Sequence, residues 1–203
     1  MKKIKLDGKS GVEAVEVLND GGIVMHPTET CYGLAVDVFN ERALEKLYLV
    51  KGMERNKPLS ILVDCLEMAQ KYGEFSEKAL QLAKKYWPGP LAMIVPRKNL
   101  PEFFNIGDGF VSFRVSDDKF CMEMIKKFGR PVTTTSANGA GLPQMYDAED
   151  LEGSFGELFS ELDLVVDGGK IPENKPSTIV KVDGDEIVVI RQGDIFLNIG
   201  KTR

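Results

Sequence analysis

The chain has 203 residues, 43% of them hydrophobic and 28% charged, with a formal net charge of −5. That length suits one domain whose core stands without disulfides or metals, and the acidic balance argues against a general nucleic-acid binder, which usually carries a basic domain. No apolar run reaches the ~18 residues of a membrane helix, so no membrane partner is expected. Three separated cysteines without CxxC spacing read as buried small hydrophobes of a reducing compartment. The opening MKKIKLDGKSG has no apolar h-region after its lysines, so it does not read as a signal peptide and a cytoplasmic location is expected. A single histidine, His26, excludes His-rich metal sites and argues against a Ser-His-Asp triad.

In chain order, Ile4 to Leu6 reads as a short strand. Ser10 and Glu13 have capping-box spacing before a helix with Val12, Val15 and Leu18 on one stripe, stopped by Asn19-Asp20-Gly21-Gly22. Ile23 to Met25 reads as a buried strand, and HPTETCYGL (26–34) as a loop bearing Thr28, Thr30, Tyr32 and Gly33. A strand over Leu34 to Val38 precedes a helix, Glu41 to about Lys51, capped by Asn40. A basic loop then leads into a strand, Leu59 to Val63. Two helices follow, Leu66–Tyr72 and Glu77–Tyr86, the second capped by Ser76 and ended by Trp87-Pro88-Gly89-Pro90. Strands Leu91–Val95 and Val111–Val115 flank a polar loop. A helix Lys119–Phe128 ends at Gly129, and Val132–Thr135 runs into SANGAGLP. Asp147 caps a further helix, Leu164–Val166 is a short strand, and a hairpin closes the pattern: Ser177–Val182, an Asp183-Gly184 turn, Ile187–Arg191. Strands alternating irregularly with helices predict one α/β domain on a twisted, mixed sheet.

Chemistry-bearing residues gather at expected strand ends, where ligands of α/β sheets usually sit. KGMERNKPLSILV (51–63) packs Lys51, Arg55 and Lys57 into seven residues, either a binding loop or a solvated charge run. In TTTSAN (133–138) the threonines suit a strand. Ser136 and Asn138 then either address a phosphate or base together, or hydrogen-bond their own turn. Asp167-Gly168-Gly169 reads as a plain turn before a magnesium ligand. Neither a P-loop nor GxGxxG is present.

Together, HPTETCYGL, KGMERNKPL, WPGPL, Arg114, GRPVTTTSANGAG, DGG, PSTIV and RQG, in that order from about Ser10 to Gly193, resemble the YrdC-like family. Its best-known activity is threonylcarbamoyl-AMP synthase. The resemblance implies a single α/β domain over 1–203 with a basic cavity above a mixed sheet. It also implies a reaction joining L-threonine, bicarbonate or CO2 and ATP with release of pyrophosphate. A separate tRNA-modifying threonylcarbamoyl transferase complex would use the product, with at most a weak tRNA contact here. The chain looks like the family's short form, without an added C-terminal domain. Carried over by motif, Thr30, Arg114, Thr134 and Ser177 would hold threonine. Lys51, Lys57, Ser136, Asn138, Gln144 and Arg191 would hold ATP, and Lys51, Arg55 and Arg191 would serve catalysis. Magnesium would be held by phosphate oxygens and water, with no protein metal site. The sequence departs from the family at Met53, where an arginine is usual and whose charge Arg55 is expected to replace. It departs again at Asn174-Lys175-Pro176 and at Lys181. These departures keep open a YciO-like relative acting on, or hydrolysing, a related nucleotide, and an RNA-binding module using the same basic cleft is a separate alternative. His26 is expected to be structural.

Overall fold

The computed structural model describes residues 1–104 and 109–197, so residues 105–108 of the expected polar loop lie outside it. Its strands are β1 (Lys2–Lys5), β2 (Val24–His26), β3 (Gly33–Ala35), β4 (Ser60–Leu62), β5 (Leu91–Pro96), β6 (Phe110–Arg114), β7 (Val132–Ser136), β8 (Leu164–Asp167), β9 (Thr178–Asp183) and β10 (Glu186–Arg191). They form one sheet in the order β1-β8-β2-β3-β7-β4-β6-β5-β9-β10. It is mixed: β8 runs parallel to β1 and β2, β4 to β6 and β5 to β9, while β3, β7 and β10 pair antiparallel to their neighbours.

The helices are α1 (Ser10–Asn19), α2 (Glu41–Lys51), α3 (Leu66–Tyr72), α4 (Glu77–Tyr86), α5 (Lys119–Phe128) and α6 (Leu151–Phe155). α2 to α5 have the bounds the sequence predicts because their punctuation is explicit. Asn40, Ser76 and Asp118 accept from the backbone N–H three residues on. α2 ends where Gly52 takes a left-handed φ of 60°, its N–H donating to Leu49 O.

Four local expectations are corrected. The Ser10–Glu13 capping box does not form. Asp7 Oδ1 instead accepts from the N–H groups of Lys9 and Ser10, and Glu13 pairs with Lys2. The first strand starts at Lys2 rather than Ile4, because its partner β8 reaches Lys2 through Leu164. The strand expected over Leu34–Val38 is regular only over Gly33–Ala35, with one further bridge from Asp37 to Val132. Asp147 opens a 3₁₀ turn, Ala148–Asp150, and the helix behind it is five residues long before a second 3₁₀ segment.

Strand alternation splits the central sheet into two unlike faces. Ile61, Met93, Phe113 and Val180 are fully buried and join the core. Their neighbours on the opposite face are mostly small or polar, Ser60, Ala92 and Ser112, with Ile179 the one large apolar residue among them. Burying each large apolar side chain contributes about 2 kcal/mol. The small residues opposite leave room above the sheet. Among the described residues no helix is long and apolar enough to cross a membrane.

Candidate active site

The room above the small residues is a cavity of about 190 Å³, open to solvent. Its floor comes from β3, β4, β7 and β5, with Gly33 beside Ser136 and Ser60 beside Thr134 in register. Thr28, Thr30 and Cys31 wall one side, Arg114 stands at the end of β6, and Ser177 and Arg191 close the far end.

All four residues expected to hold threonine, Thr30, Arg114, Thr134 and Ser177, line this cavity. Arg114 is the buried cation among them. Its Nη1 and Nη2 each donate to Thr30 Oγ1 at 3.3 Å, and Nη2 also pairs with Glu29. Glu29 in turn accepts from the Ser116 hydroxyl, and its backbone O accepts from Asn174 Nδ2 at 2.8 Å. Glu29 is the main residue that sequence reading missed. The signal was there, a lone carboxylate in a segment otherwise of hydroxyls, but its partner lies 85 residues away.

At the far end, Arg191 Nε and Nη2 donate to Ser177 O at 3.1 and 2.9 Å. Gly193 makes that clasp possible, because a Cβ there would meet Pro176 O at 2.0 Å. Burial lowers the Arg191 pKa, and the nearby Arg114 charge lowers it further. The two guanidinium groups thus feel one another across the cavity, Arg114 with Glu29 as its counter-ion.

Of the residues expected to hold ATP, Ser136, Gln144 and Arg191 line the cavity. Lys51, Lys57 and Asn138 are absent from its lining. Lys51 is buried, 4% exposed, and its Nζ donates to Ser136 O at 2.6 Å and Asn138 O at 2.8 Å. It ties the end of α2 to the TTTSAN turn, a tie doubled by Ala140 N donating to Lys51 O. Burial pulls its pKa down to about 8. Asn138 spends its amide on the turn itself: Oδ1 accepts from Ser136 Oγ and Nδ2 donates to Leu142 O. Of the two readings of TTTSAN, the self-bonded turn is the one present. Lys57 contributes backbone, its O accepting from Tyr48 OH at 2.8 Å, and this seats Pro58 and Leu59 at the cavity edge.

Arg55 requires a correction. It does not turn toward the cavity to replace an arginine at position 53. Its guanidinium lies along α2, at 3.3 Å from Glu41 and 3.0 Å from Glu45, with the side chain 45% exposed. The acidic outer face of α2 is the nearer electrostatic partner. Met53 packs against the hydrophobic core. Lys181 sits over the Phe110 ring at 3.6 Å, outside the lining.

Two other readings find their partners. Asp167 Oδ1 accepts from Gly169 N and Oδ2 from Lys5 Nζ, as a turn-closing aspartate does. Tyr32 OH donates to Gly169 O and accepts from Gly168 N, and burial lifts its pKa to about 12. His26 is fully buried, with Nδ1 2.9 Å from Pro27 O, and burial keeps its pKa below the usual value. That is a structural histidine.

The Sua5/YciO/YrdC family model, described as telomere recombination, matches residues 16–193. Over 181 residues the chain is 35% identical to a putative threonylcarbamoyl-AMP synthase of Methanocaldococcus jannaschii, covering 89% of this chain and 83% of that protein. The crystal structure of Pyrococcus abyssi Sua5 complexed with L-threonine superposes with a TM-score of 0.86 at 26% identity over 95% of this chain. This chain spans 57% of that longer protein. Escherichia coli YciO has the same fold, with a TM-score of 0.83 at 22% identity over 95% of this chain and 94% of that one. The chain belongs to the Sua5/YciO/YrdC family.

Proposed function

We infer that this family member is an L-threonylcarbamoyl-AMP synthase, joining L-threonine, bicarbonate or CO2 and ATP with release of pyrophosphate. The observation that carries this is the cavity that gathers Thr30, Arg114, Thr134 and Ser177 in a chain 35% identical to a putative synthase. That identity exceeds the 22% to YciO and favours synthesis over a YciO-like hydrolysis.

Arg114 supplies a planar fork that grips the threonine carboxylate bidentately, with the hydroxyls of Thr30, Thr134 and Ser177 orienting the rest of the amino acid. The free amine captures CO2 with loss of a proton to water, or bicarbonate with loss of water, as a carbamate; a carbamate oxygen attacks the α-phosphate of ATP, and pyrophosphate leaves. Ser136, Gln144 and Arg191 face the nucleotide. Lys51 acts on it through the turn it fastens. No general base is required of the lining residues, so rate comes from alignment and from cationic stabilisation of developing phosphate charge.

Magnesium fits no protein cage here. Among the described residues no group of three His, Cys, Asp or Glu side chains converges, and the cavity lining holds no carboxylate. It would arrive on the phosphate oxygens of ATP. The product is an activated acyl donor for a tRNA-modifying transferase in the cytoplasm. The test is pyrophosphate release from ATP with magnesium and bicarbonate, with and without L-threonine. Threonine-dependent release is expected. Release indifferent to threonine, or none, overturns the reading.

A further inference from the structure

Among the described residues the sheet has two edge strands, and they are finished in opposite ways. β1 is Lys-Lys-Ile-Lys, three cations in four residues, and lysines on an edge discourage another strand from pairing there. β10 is Glu-Ile-Val-Val-Ile-Arg. Its centre is apolar and open, with Val188 43%, Val189 37% and Ile190 56% exposed. It contains no proline, and its outer backbone groups face away from β9.

β10 has one irregularity, a bulge between Val189 and Arg191 that takes up Ile190. Glu186, Ile187, Val188, Val189 and Arg191 then stand opposite the consecutive residues Asp183, Val182, Lys181, Val180 and Ile179. The bulge therefore leaves five ladder positions. Outward-facing backbone groups recur at every second position of a strand. A strand can thus pair antiparallel with its own copy only when a ladder position, or the midpoint of an even step, lies on the two-fold axis. With five positions the axis falls on Val188. Ile187 then opposes Val189 of the second copy, and Glu186 opposes Arg191.

The faces agree as well. Glu186, Val188 and Arg191 share one face with Lys181 and Ile179, while Ile187 and Val189 share the other with Val182 and Val180. So the acid meets the base on the same side of the joined sheet, twice by symmetry, and opposite charges placed this way are favourable cross-strand pairs. Without the bulge, Glu186 and Arg191 would sit out of phase. Arg191 commits Nε and Nη2 to Ser177 O, so in such a pairing Nη1 is the nitrogen left to meet a carboxylate.

We propose that β10 is the contact strand of a homodimer, pairing antiparallel with a second copy about Val188 to make one continuous sheet. This is an isologous interface, closed by its own symmetry. It brings Glu186 of each copy to Arg191 of the other, a residue that lines the cavity. The proposal stands independently of the reaction assigned above.

The experiment is sedimentation equilibrium of the full chain over a concentration series, beside Val188→Lys, which sets two ammonium groups face to face on the axis. The wild type is expected at twice its 22.5 kDa mass, and Val188→Lys at the monomer mass with an unchanged far-ultraviolet spectrum. A wild type that stays monomeric throughout, or a Val188→Lys protein that stays dimeric, overturns the proposal. Should the variant fail to fold, amide exchange on the wild type decides. Protection at Ile187–Val189 that fades on dilution supports the strand pairing, and dilution-independent exchange there refutes it.

Discussion

Arg55 and Arg114 carry the same group and meet it with the same kind of partner, a glutamate, yet they do different work. Arg55 lies in the most cationic stretch of the chain and ends on the outside of α2, 45% exposed between Glu41 and Glu45. Arg114 has no cationic neighbours in sequence and ends 9% exposed at the mouth of β6, held by Glu29 and Thr30. A dense run of charge shows where the chain can afford contact with water. A lone charge at the end of a buried strand shows where the fold has built walls around it. The difference in solvation also sets the energies: an exposed pair contributes roughly 0–1 kcal/mol, while breaking a buried one costs about 3–5 kcal/mol.

The widest gap should appear in turnover. Arg114→Lys keeps the charge but loses the fork, and threonine-dependent pyrophosphate release should fall roughly 100-fold, mainly through a higher KM for threonine. Steady-state kinetics at varied threonine measures it, and near-normal kinetics would break the contrast at once. Lys51 tests an intermediate case, a buried cation outside the lining of the candidate site. Lys51→Met removes the ammonium donor from Asn138 O and from Ser136 O, which keeps only the Asn138 N–H, and should destabilise the protein by about 1–3 kcal/mol in urea unfolding.

Lys51 also carries a pH signature. Its folded pKa, about 8, lies below the usual 10.5, so between those values the unfolded chain binds the extra proton. Wild-type stability should gain a contribution from Lys51 as pH rises from about 8 to 10.5 and lose it as pH falls back. The Lys51→Met slope should lack that rise. Arg55→Ala is the smallest expected effect, within about 0.5 kcal/mol in stability and with unaltered threonine kinetics. A large activity loss there would return Arg55 to the site and erase the comparison.

What the sequence made legible follows the range of the forces involved. Helices α2, α4 and α5 were readable because Asn40, Ser76, Gly52 and Gly129 act on residues three or four positions away. Arg114, Ser177 and Arg191 could be singled out because each stands at the limit of a strand whose alternation is plain, and all three line the cavity. Glu29 was not, since nothing within its own segment says that a guanidinium 85 residues away will turn its way. Arg55 was misplaced for the converse reason: its spacing from Met53 suggested a substitute charge, while Glu41 and Glu45 offered partners on a helix surface that only the folded backbone brings near. The small face of the sheet, Ser60, Ala92 and Ser112, could be listed from sequence, but its meaning as a cavity floor depends on strand order.

The pairing of Lys2–Lys5 with Leu164–Asp167 bears on how the molecule is made. β1 leaves the ribosome with its partner about 160 residues behind it, and β2 waits for that same partner. Closing so long a loop is slow even where its entropy cost is modest. The nascent chain therefore holds β1 idle until the residues that separate it from β8 have been translated, and its lysines keep the waiting segment soluble in the meantime.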